Sequence, residues 1–275
     1  MNTLCPALAF GGRGTAALPG SPASSAAPTD PADRFTPAAT PMPGEQPARV
    51  CAPLTSNVNQ WLAAVLRPIN KVFLNVFFRP EIVGRENIPA SGPVLLAPTH
   101  QSMFDAQVVA SLSDRDMHFM AAAEQMKGLR GWILRNCGAF PVDRRNPCPE
   151  VVAHSKDVLR NGDALVLFPE GGIHTDGKVH PLKPGAGAIA TGAPADSVIP
   201  IAIHYQPRPW LGSRLKVLVG KPIPTASYIV EGKSGATRLT SDLATALAAQ
   251  KASLVETVIA GAPGLPPCEK PAPSP

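Results

Sequence analysis

The sequence predicts an α/β domain whose mostly parallel, mixed sheet is flanked by helices. Between Glu81 and Ile259, short apolar runs alternate with stretches of helical periodicity. The clearest runs, residues 94–97 and 164–168, are apolar at every position, which is typical of strands buried between two helical layers. Such sheets bind ligands beyond the carboxyl ends of their strands, so a functional site is expected there.

Each element follows from its local pattern. The strands are short apolar segments ended by proline, glycine or polar residues, and the helices carry apolar residues three and four apart. Strands are expected at residues 94–97, 118–121, 139–142, 164–168, 199–203 and 215–219, and helices at 102–112, 124–136, 150–160 and 235–259.

The two ends of the chain differ in composition from its centre. Of the 33 prolines in 275 residues, nine lie in residues 1–50 and six in residues 262–275, without any apolar period. Such segments bury too little surface to offset the entropy of ordering. We therefore expect residues 1–56 and 261–275 to be disordered and residues 80–260 to form one folded domain.

Residues 57–79 are predicted to form amphipathic helices ahead of the domain. Apolar residues recur at helical spacing, and the only three charged residues are basic. Pro68 is expected to kink the segment or to divide it into two helices. Such a helix either lies in the interface of a bilayer or packs on the domain core. No run of 18 apolar residues occurs, so no transmembrane helix is predicted.

The first candidate site follows the strand at residues 94–97. His100 comes just after this strand, and Asp105 lies five residues later in the first turn of the next helix, for which Ser102 is the expected N-cap. If the turn folds His100 back, the carboxylate accepts a proton from one imidazole nitrogen and leaves the other nitrogen free as a base. The alternative is a helix cap beside an incidental histidine.

Other classes of protein lack their signatures. A serine hydrolase needs a G-x-S-x-G elbow, and none is present. His174, Asp176 and His180 could form half of a metal site, but the number of ligands favours a solvated turn. A net charge of +5 without a basic stripe and interleaved aromatic residues does not predict nucleic-acid binding.

Two further segments at strand ends carry chemical groups. Arg144 and Arg145 follow the strand at residues 139–142, and paired guanidinium groups suit phosphate or a similar oxyanion. Glu170 follows the strand at residues 164–168 and precedes two glycines. Glycines let the backbone approach a ligand closely, although they also simply form turns.

Taken in order, these segments resemble the conserved blocks of the glycerolipid acyltransferase family, typified by 1-acylglycerol-3-phosphate acyltransferases. The family's blocks read H-x-x-x-x-D, G-x-x-F/P-x-x-R, F-P-E-G and V-P-x-x. Here they correspond to His100 to Asp105, Gly138 to Arg144, Phe168 to Gly171 and Val198 to Ile203. The resemblance covers about residues 80–205, nearly half of the chain, and identifies residues 80–260 as the acyltransferase domain.

The resemblance implies transfer of a fatty acyl group from acyl-CoA or acyl carrier protein to the hydroxyl of a lysophospholipid. The implied acceptor is 1-acylglycerol-3-phosphate, which gives phosphatidic acid. His100 would take the proton of this hydroxyl while Asp105 holds the imidazole. The substrate-binding residues are expected to be Arg144, which holds the phosphate, with Glu170, Gly171 and Lys183. The thioester is a co-substrate, and neither a metal nor another cofactor is expected.

One position departs from the family's pattern. Many members continue the third block as F-P-E-G-T-R, whereas Gly172 and Ile173 stand here in place of threonine and arginine. Either other cations hold the phosphate, or the acceptor is another lysolipid, such as a lyso-ornithine lipid. A non-catalytic lipid-binding protein on the membrane surface is a further alternative. The intact pair of His100 and Asp105 argues against it.

The resemblance also favours the interfacial interpretation of residues 57–79 as a membrane-associating segment. The expected partners are the lysolipid acceptor, the thioester donor and the membrane surface, and not nucleic acid. We expect peripheral or monotopic attachment at the cytoplasmic face of a membrane, because the first residues lack the basic region of a secretory signal. A plastid location is the less favoured alternative, suggested by the absence of acidic residues before Asp30.

Overall fold

The computed structural model describes residues 54–143, 148–193 and 195–259. The expectations for residues 1–53 and 260–275 lie outside these ranges. The described helices are α1 (Gln60–Phe77), α2 (Asp105–Ala110), α3 (Gly128–Asn136), α4 (Pro149–Arg160), α5 (Gly185–Gly192), α6 (Ala226–Val230) and α7 (Lys233–Ile259). The described strands are β1 (Glu81–Val83), β2 (Val94–Pro98), β3 (Met117–Ala122), β4 (Ala139–Val142), β5 (Ala164–Val166), β6 (Ser197–Gln206), β7 (Arg214–Val219) and β8 (Ile223–Pro224).

The strands form one mixed sheet in the order β1-β7-β6-β2-β5-β3-β4, and β8 also pairs with β6. The neighbours β6, β2, β5, β3 and β4 all run parallel. Strands β7 and β8 run antiparallel to β6, and β1 runs parallel to β7. The predicted α/β fold with a mostly parallel, mixed sheet is therefore confirmed.

Alternation along the central strand β2 divides the core into two layers. Val94 and Leu96 face a cluster that includes residues of α1 and α2, whereas Leu95 and Ala97 face residues of α4, α5 and α7. Burial of each large apolar side chain contributes about 1.5–3 kcal/mol. Helices on both faces explain why the central strands are apolar at every position.

Helix α1 continues through Pro68, so the proline does not divide the segment into two helices, which was one of its two expected effects. Ala63 and Leu74, on either side of the proline, are buried against the domain. This packing offsets the backbone hydrogen bond that proline cannot form. The structure contains no helix that is both long and apolar enough to cross a membrane within its described ranges.

Two helices begin later than predicted. Helix α2 starts at Asp105 with Phe104 as its N-cap, so the expected capping role of Ser102 is wrong. Ser102 instead caps the turn before the helix, where its Oγ accepts the backbone N–H of Phe104 at 3.3 Å and its own N–H donates to Asp105 Oδ2 at 2.8 Å. Helix α3 starts at Gly128, because a 3₁₀ turn over Ala123–Gln125 precedes it.

Helices α5 and α7 pack closely at Gly187, and this contact predicts opposite effects for two glycine substitutions. A Cβ at Gly187 would overlap the carbonyl oxygen of Ala236 and the hydroxyl of Thr240, so Gly187→Ala should lower the free energy of unfolding by about 1–3 kcal/mol. Gly185→Ala, in the same helix, meets no atom within 4 Å and should raise it by about 0.5–1 kcal/mol. Urea unfolding followed by circular dichroism measures both changes. Equal effects of the two substitutions would contradict this packing.

Candidate active site

Three adjacent parallel strands, β5, β2 and β6, bring their carboxyl ends to the same edge of the sheet. His100 follows β2, Phe168 and Glu170 follow β5, and Tyr205 lies near the end of β6. Residues that are up to 105 positions apart in the sequence therefore lie together at the place where α/β sheets bind ligands.

The centre of this site is the pair formed by His100 and Asp105. His100 Nδ1 lies 2.9 Å from Asp105 Oδ2, and the carboxylate is fully buried while the imidazole is one-fifth exposed. An ionised carboxylate only accepts hydrogen bonds, so Nδ1 carries the proton in this pair. No described residue forms a hydrogen bond with Nε2, which is left as the basic nitrogen.

Backbone and side-chain donors surround the carboxylate of Asp105. Its Oδ2 accepts the backbone N–H of Gln101 at 2.6 Å and that of Ser102 at 2.8 Å. Its Oδ1 accepts the phenol of Tyr205 at 2.7 Å. These bonds satisfy a charge that water cannot reach, and they fix the carboxylate against His100.

Tyr205 is the member of the site that sequence reasoning missed. The prediction ended its strand at Ile203, whereas β6 continues to Gln206. Burial raises the pKa of Tyr205 far above its usual value, and the nearby Asp105 raises it further, so the phenol remains a donor. The alternation of Ile199, Ile201 and Ile203 could have placed position 205 on the same face of the sheet.

Two residues of the segment after β5 hold His100 in place. The ring of Phe168 stacks on the imidazole, with centroids 4.0 Å apart and an interplanar angle of 24°. Glu170 is buried, and its two carboxylate oxygens accept the backbone N–H groups of His100 at 3.1 Å and His180 at 3.2 Å. The carboxylate of Glu170 therefore connects the turn after β2, through His100, with the loop that contains His180.

Gly171 and Lys183 also lie beside one another. Gly171 has a φ of +70°, a conformation that favours glycine, and a Cβ at this position would overlap the side chain of Lys183. The backbone N–H of Lys183 donates to the carbonyl of Pro169 at 2.8 Å. No described residue forms an ion pair with the exposed ammonium of Lys183. Arg144 lies outside the described residues.

The loop that follows Gly172 contains the histidines considered above as half of a metal site. The rings of His174 and His180 stack with centroids 3.8 Å apart, and His180 Nε2 lies 3.0 Å from Asp176 Oδ2. The described part of the chain holds no group of three or more histidine, cysteine or acidic residues that could bind a metal ion. The loop is attached to the site through the N–H of His174, which donates to the carbonyl of His100 at 2.8 Å.

This arrangement has the parts of a general-base site. Asp105 holds the tautomer of His100, Phe168 holds the ring, and the free nitrogen can take a proton from a hydroxyl or a similar nucleophile. The class that the fold and site define is thus an α/β enzyme with a histidine, held by a buried carboxylate, at the carboxyl edge of its sheet.

The comparisons with known proteins identify the family. The family model described as Acyltransferase matches residues 79–204. The 1-acyl-sn-glycerol-3-phosphate acyltransferase of Bacillus subtilis is 32% identical over 167 residues, which are 58% of this chain and 80% of that protein. The chloroplastic 1-acyl-sn-glycerol-3-phosphate acyltransferase BAT2 of Brassica napus is 30% identical over 132 residues, which are 46% of this chain but only 38% of the relative.

A solved structure has the same fold. The crystal structure of PlsC, a 1-acyl-sn-glycerophosphate acyltransferase from Thermotoga maritima, aligns with a TM-score of 0.59 at 20% identity and covers 71% of this chain and 80% of that chain. The family model and the Bacillus subtilis relative place the chain in the glycerolipid acyltransferase family, whose members are O-acyltransferases. The resemblance found in the sequence is confirmed.

The phenol of Tyr205 supplies a testable prediction. Tyr205→Phe removes one donor from the buried carboxylate, and hydrogen bonds to charged groups contribute about 1.5–3 kcal/mol. We expect the rate of acyl transfer to fall roughly tenfold with little change in KM, because Asp105 then holds His100 less firmly.

Tyr228→Phe is the matched control for this measurement. Its phenol also donates to a carboxylate, that of Asp242, at 2.7 Å, but it lies away from the site. Steady-state kinetics of the two purified variants give the comparison. Equal activities of the two variants would show that the Tyr205 bond serves stability alone.

Proposed function

We propose that the protein transfers a fatty acyl group from acyl-CoA or acyl carrier protein to the free hydroxyl of 1-acylglycerol-3-phosphate, which gives phosphatidic acid. The observation that carries this proposal is the hydrogen bond between His100 and the buried Asp105 at the carboxyl edge of the sheet. The acceptor is taken from the names of the relatives in Bacillus subtilis and Brassica napus.

The reaction needs one base and no covalent enzyme intermediate. His100 Nε2 takes the proton of the acceptor hydroxyl as its oxygen attacks the thioester carbonyl, and a C–O bond forms. The tetrahedral intermediate then collapses, the C–S bond breaks, and the leaving thiolate receives the proton from His100. Asp105 stabilises the imidazolium between these two steps. The thioester is the co-substrate, and the balance requires no further cofactor.

The groups proposed to hold the acceptor's phosphate surround Gly171. The exposed Lys183 offers an ammonium beside it, because the side chain of Lys183 lies across the backbone of Gly171. Arg144 is proposed as a second cation from the sequence resemblance. Gly172 and Ile173 offer no charge at the positions where many family members carry threonine and arginine. This difference keeps a lyso-ornithine lipid as the second candidate acceptor.

Substitution of the catalytic pair tests the mechanism. His100→Ala should lower the rate by roughly 10²–10⁴-fold, which is the contribution of a general base. Asp105→Asn should also be severe, since it removes the charge that stabilises the imidazolium. The assay follows the purified full chain with 1-acylglycerol-3-phosphate or a lyso-ornithine lipid as acceptor, and with either thioester as donor.

A second contact between a histidine and an aspartate provides the control. His118 Nε2 lies 3.7 Å from Asp163 Oδ2, at the opposite edge of the sheet from His100. Asp163→Asn should keep nearly full activity. If the His100→Ala variant is folded and fully active, the mechanism is wrong. Transfer only to the lyso-ornithine lipid would replace the proposed acceptor and keep the chemistry.

Attachment to the surface of a bilayer is the second part of the proposal, because both acceptor and product are lipids. Five apolar side chains of α1 are between 53% and 86% exposed: Trp61, Val65, Ile69, Val72 and Val76. At 3.6 residues per turn they fall within an arc of about 80°. An apolar stripe of this kind on a helix suits the interface of a bilayer.

The loop between β6 and β7 extends this apolar surface. Trp210 and Leu211 at its tip are exposed, and the N–H of Gly212 donates to the carbonyl of Phe77 at the end of α1 at 2.9 Å. Tryptophan is enriched at the interface between water and lipid. In our proposal this loop and the stripe of α1 contact the same bilayer.

The basic residues of α1 contribute less to this proposed attachment than their charges suggest. Arg67 pairs with Asp116 at 2.6 Å, and Lys71 pairs with Asp114 at 2.7 Å. These ammonium and guanidinium groups are already neutralised by the protein. High salt should therefore weaken binding to vesicles only slightly, because salt screens charges and not apolar burial.

Two matched double substitutions test the attachment. Ile69→Gln with Val72→Gln removes two side chains from the stripe, each of which contributes about 1.5–3 kcal/mol when buried. We expect this variant to stay in solution when anionic vesicles are sedimented. The control, Ile229→Gln with Val230→Gln, removes the same two exposed residue types from α6 and should sediment like the native protein. Equal sedimentation of both folded variants would contradict the proposal.

A further inference from the structure

Lys251 is a buried lysine that the proposed chemistry does not use. It lies on α7 with 4% of its surface exposed. Its ammonium donates to Gln101 Oε1 at 2.7 Å and to the carbonyl of Ile203 on β6. Burying an ammonium costs free energy unless nearby groups accept its hydrogen bonds or carry the opposite charge.

The bond to Ile203 satisfies a backbone carbonyl of β6 that lies beyond the end of its neighbour β2. Strands β2 and β6 pair as far as Pro98 opposite Ile201. Beyond this point the N–H of Ile203 donates to Thr99 Oγ1 at 3.0 Å, and the carbonyl of Ile203 accepts the ammonium of Lys251. Side chains thus replace the missing neighbour strand, and they attach the turn after β2 to β6.

The bond to Gln101 connects Lys251 to the catalytic pair. Gln101 directly follows His100, and it is buried. Its backbone N–H donates to Asp105 Oδ2 at 2.6 Å, while its side-chain oxygen accepts from Lys251. Gln101 therefore contacts the carboxylate of Asp105 through its backbone N–H and the ammonium of Lys251 through its side-chain oxygen.

We infer that Lys251 is a positioning residue of the site, whose charged ammonium holds the turn carrying His100 and Gln101 against β6 so that Asp105 and His100 stay aligned. The inference rests on the proposed role of His100 as the base. Lys251 does not touch the substrate in this account, because it lies beneath the turn.

Charged groups on several elements act on Lys251. The carboxylates of Asp105 on α2, and of Glu170 and Asp176 after β5, favour its ammonium. His204 on β6 is neutral, since burial, Lys251 and Lys216 lower its pKa to about 4. Burial nevertheless outweighs the carboxylates and lowers the pKa of Lys251 to about 8.

Alkaline pH should therefore weaken the hydrogen bonds by which Lys251 holds the turn after β2. Hydrogen bonds from a charged donor are roughly twice as strong as those from a neutral one. As Lys251 loses its proton above about pH 8, its bonds to Gln101 and Ile203 weaken. We expect the kcat of the native protein to fall through this range.

The contribution of Lys251 to the free energy of unfolding should rise over the same pH range, while the activity falls. The pKa of Lys251 is lower in the folded chain than the ordinary 10.5, so the unfolded chain binds more protons between about pH 8 and pH 10.5. Stability rises with pH wherever the unfolded state binds more protons. This group therefore destabilises the fold below pH 8 and ceases to do so as the pH rises.

Lys251→Met tests the inference against a purely structural role. We expect kcat at pH 7 to fall roughly 10- to 100-fold, the cost of a small misplacement of a reacting group, with little change in KM. The remaining activity should show no decline between pH 8 and pH 10. Relative to this variant, the native protein should gain thermal stability over the same pH range.

Lys216→Met is the matched control. Lys216 is also a buried lysine, and it pairs with Glu81 Oε2 at 3.4 Å on the neighbouring strands β7 and β1. This variant should keep the native kcat and its decline at alkaline pH. A Lys251→Met variant with native kcat would overturn the inference, as would one that keeps the alkaline decline.

A measurement without substrate separates this inference from the proposed function. The proton on His100 Nδ1 should give a downfield NMR signal at pH 7, assigned by its loss in His100→Ala. The signal should be weakened in Lys251→Met and retained in Lys216→Met. If it changes as expected but the native protein transfers no acyl group, the proposed function fails and the positioning role stands. An unchanged signal in Lys251→Met would overturn the positioning role, whatever the activity.

Discussion

The carboxylate of Asp105 has no access to water, so every donor that it needs must come from the protein. The imidazole of His100, two backbone N–H groups of the same turn and the phenol of Tyr205 supply these donors. The carboxylate belongs to α2, and its donors come from the turn after β2 and from β6, so these three elements must meet at one point. The same bonds fix the tautomer of His100 and leave a single nitrogen for chemistry.

Aromatic packing connects this carboxylate to α1. Phe104, which precedes Asp105, lies with its ring centroid 5.9 Å from that of Phe73 and 5.2 Å from that of Phe78. Phe78 in turn packs edge-on against Tyr205 at 5.8 Å. Phe104 therefore packs on the inner face of α1 and on Phe78, the residue that follows the helix. Tyr205 packs on Phe78 as well. The proposed lipid-contacting stripe lies on the outer face of this helix, so its orientation is coupled to the site.

The third block of the family resemblance acts mainly through the backbone. Both oxygens of Glu170 are occupied by N–H groups, and Gly171 adopts a left-handed conformation that brings Lys183 across it. This geometry makes Glu170 a support for the loops and places the exposed side chain of Lys183 across Gly171.

The sequence by itself determined the α/β fold, the main strands and the position of His100 and Asp105, because apolar periodicity and the order of the motifs are local properties. The tertiary structure decided the rest. Pro68 remains within one helix because burial on both sides offsets its missing bond, and Ser102 caps the turn before α2 because its Oγ accepts the N–H of Phe104. Tyr205 and Lys251 reach the turn after β2 from 100 and 150 residues away in the sequence. Contacts over such distances depend on strand order and helix packing, which no local pattern specifies.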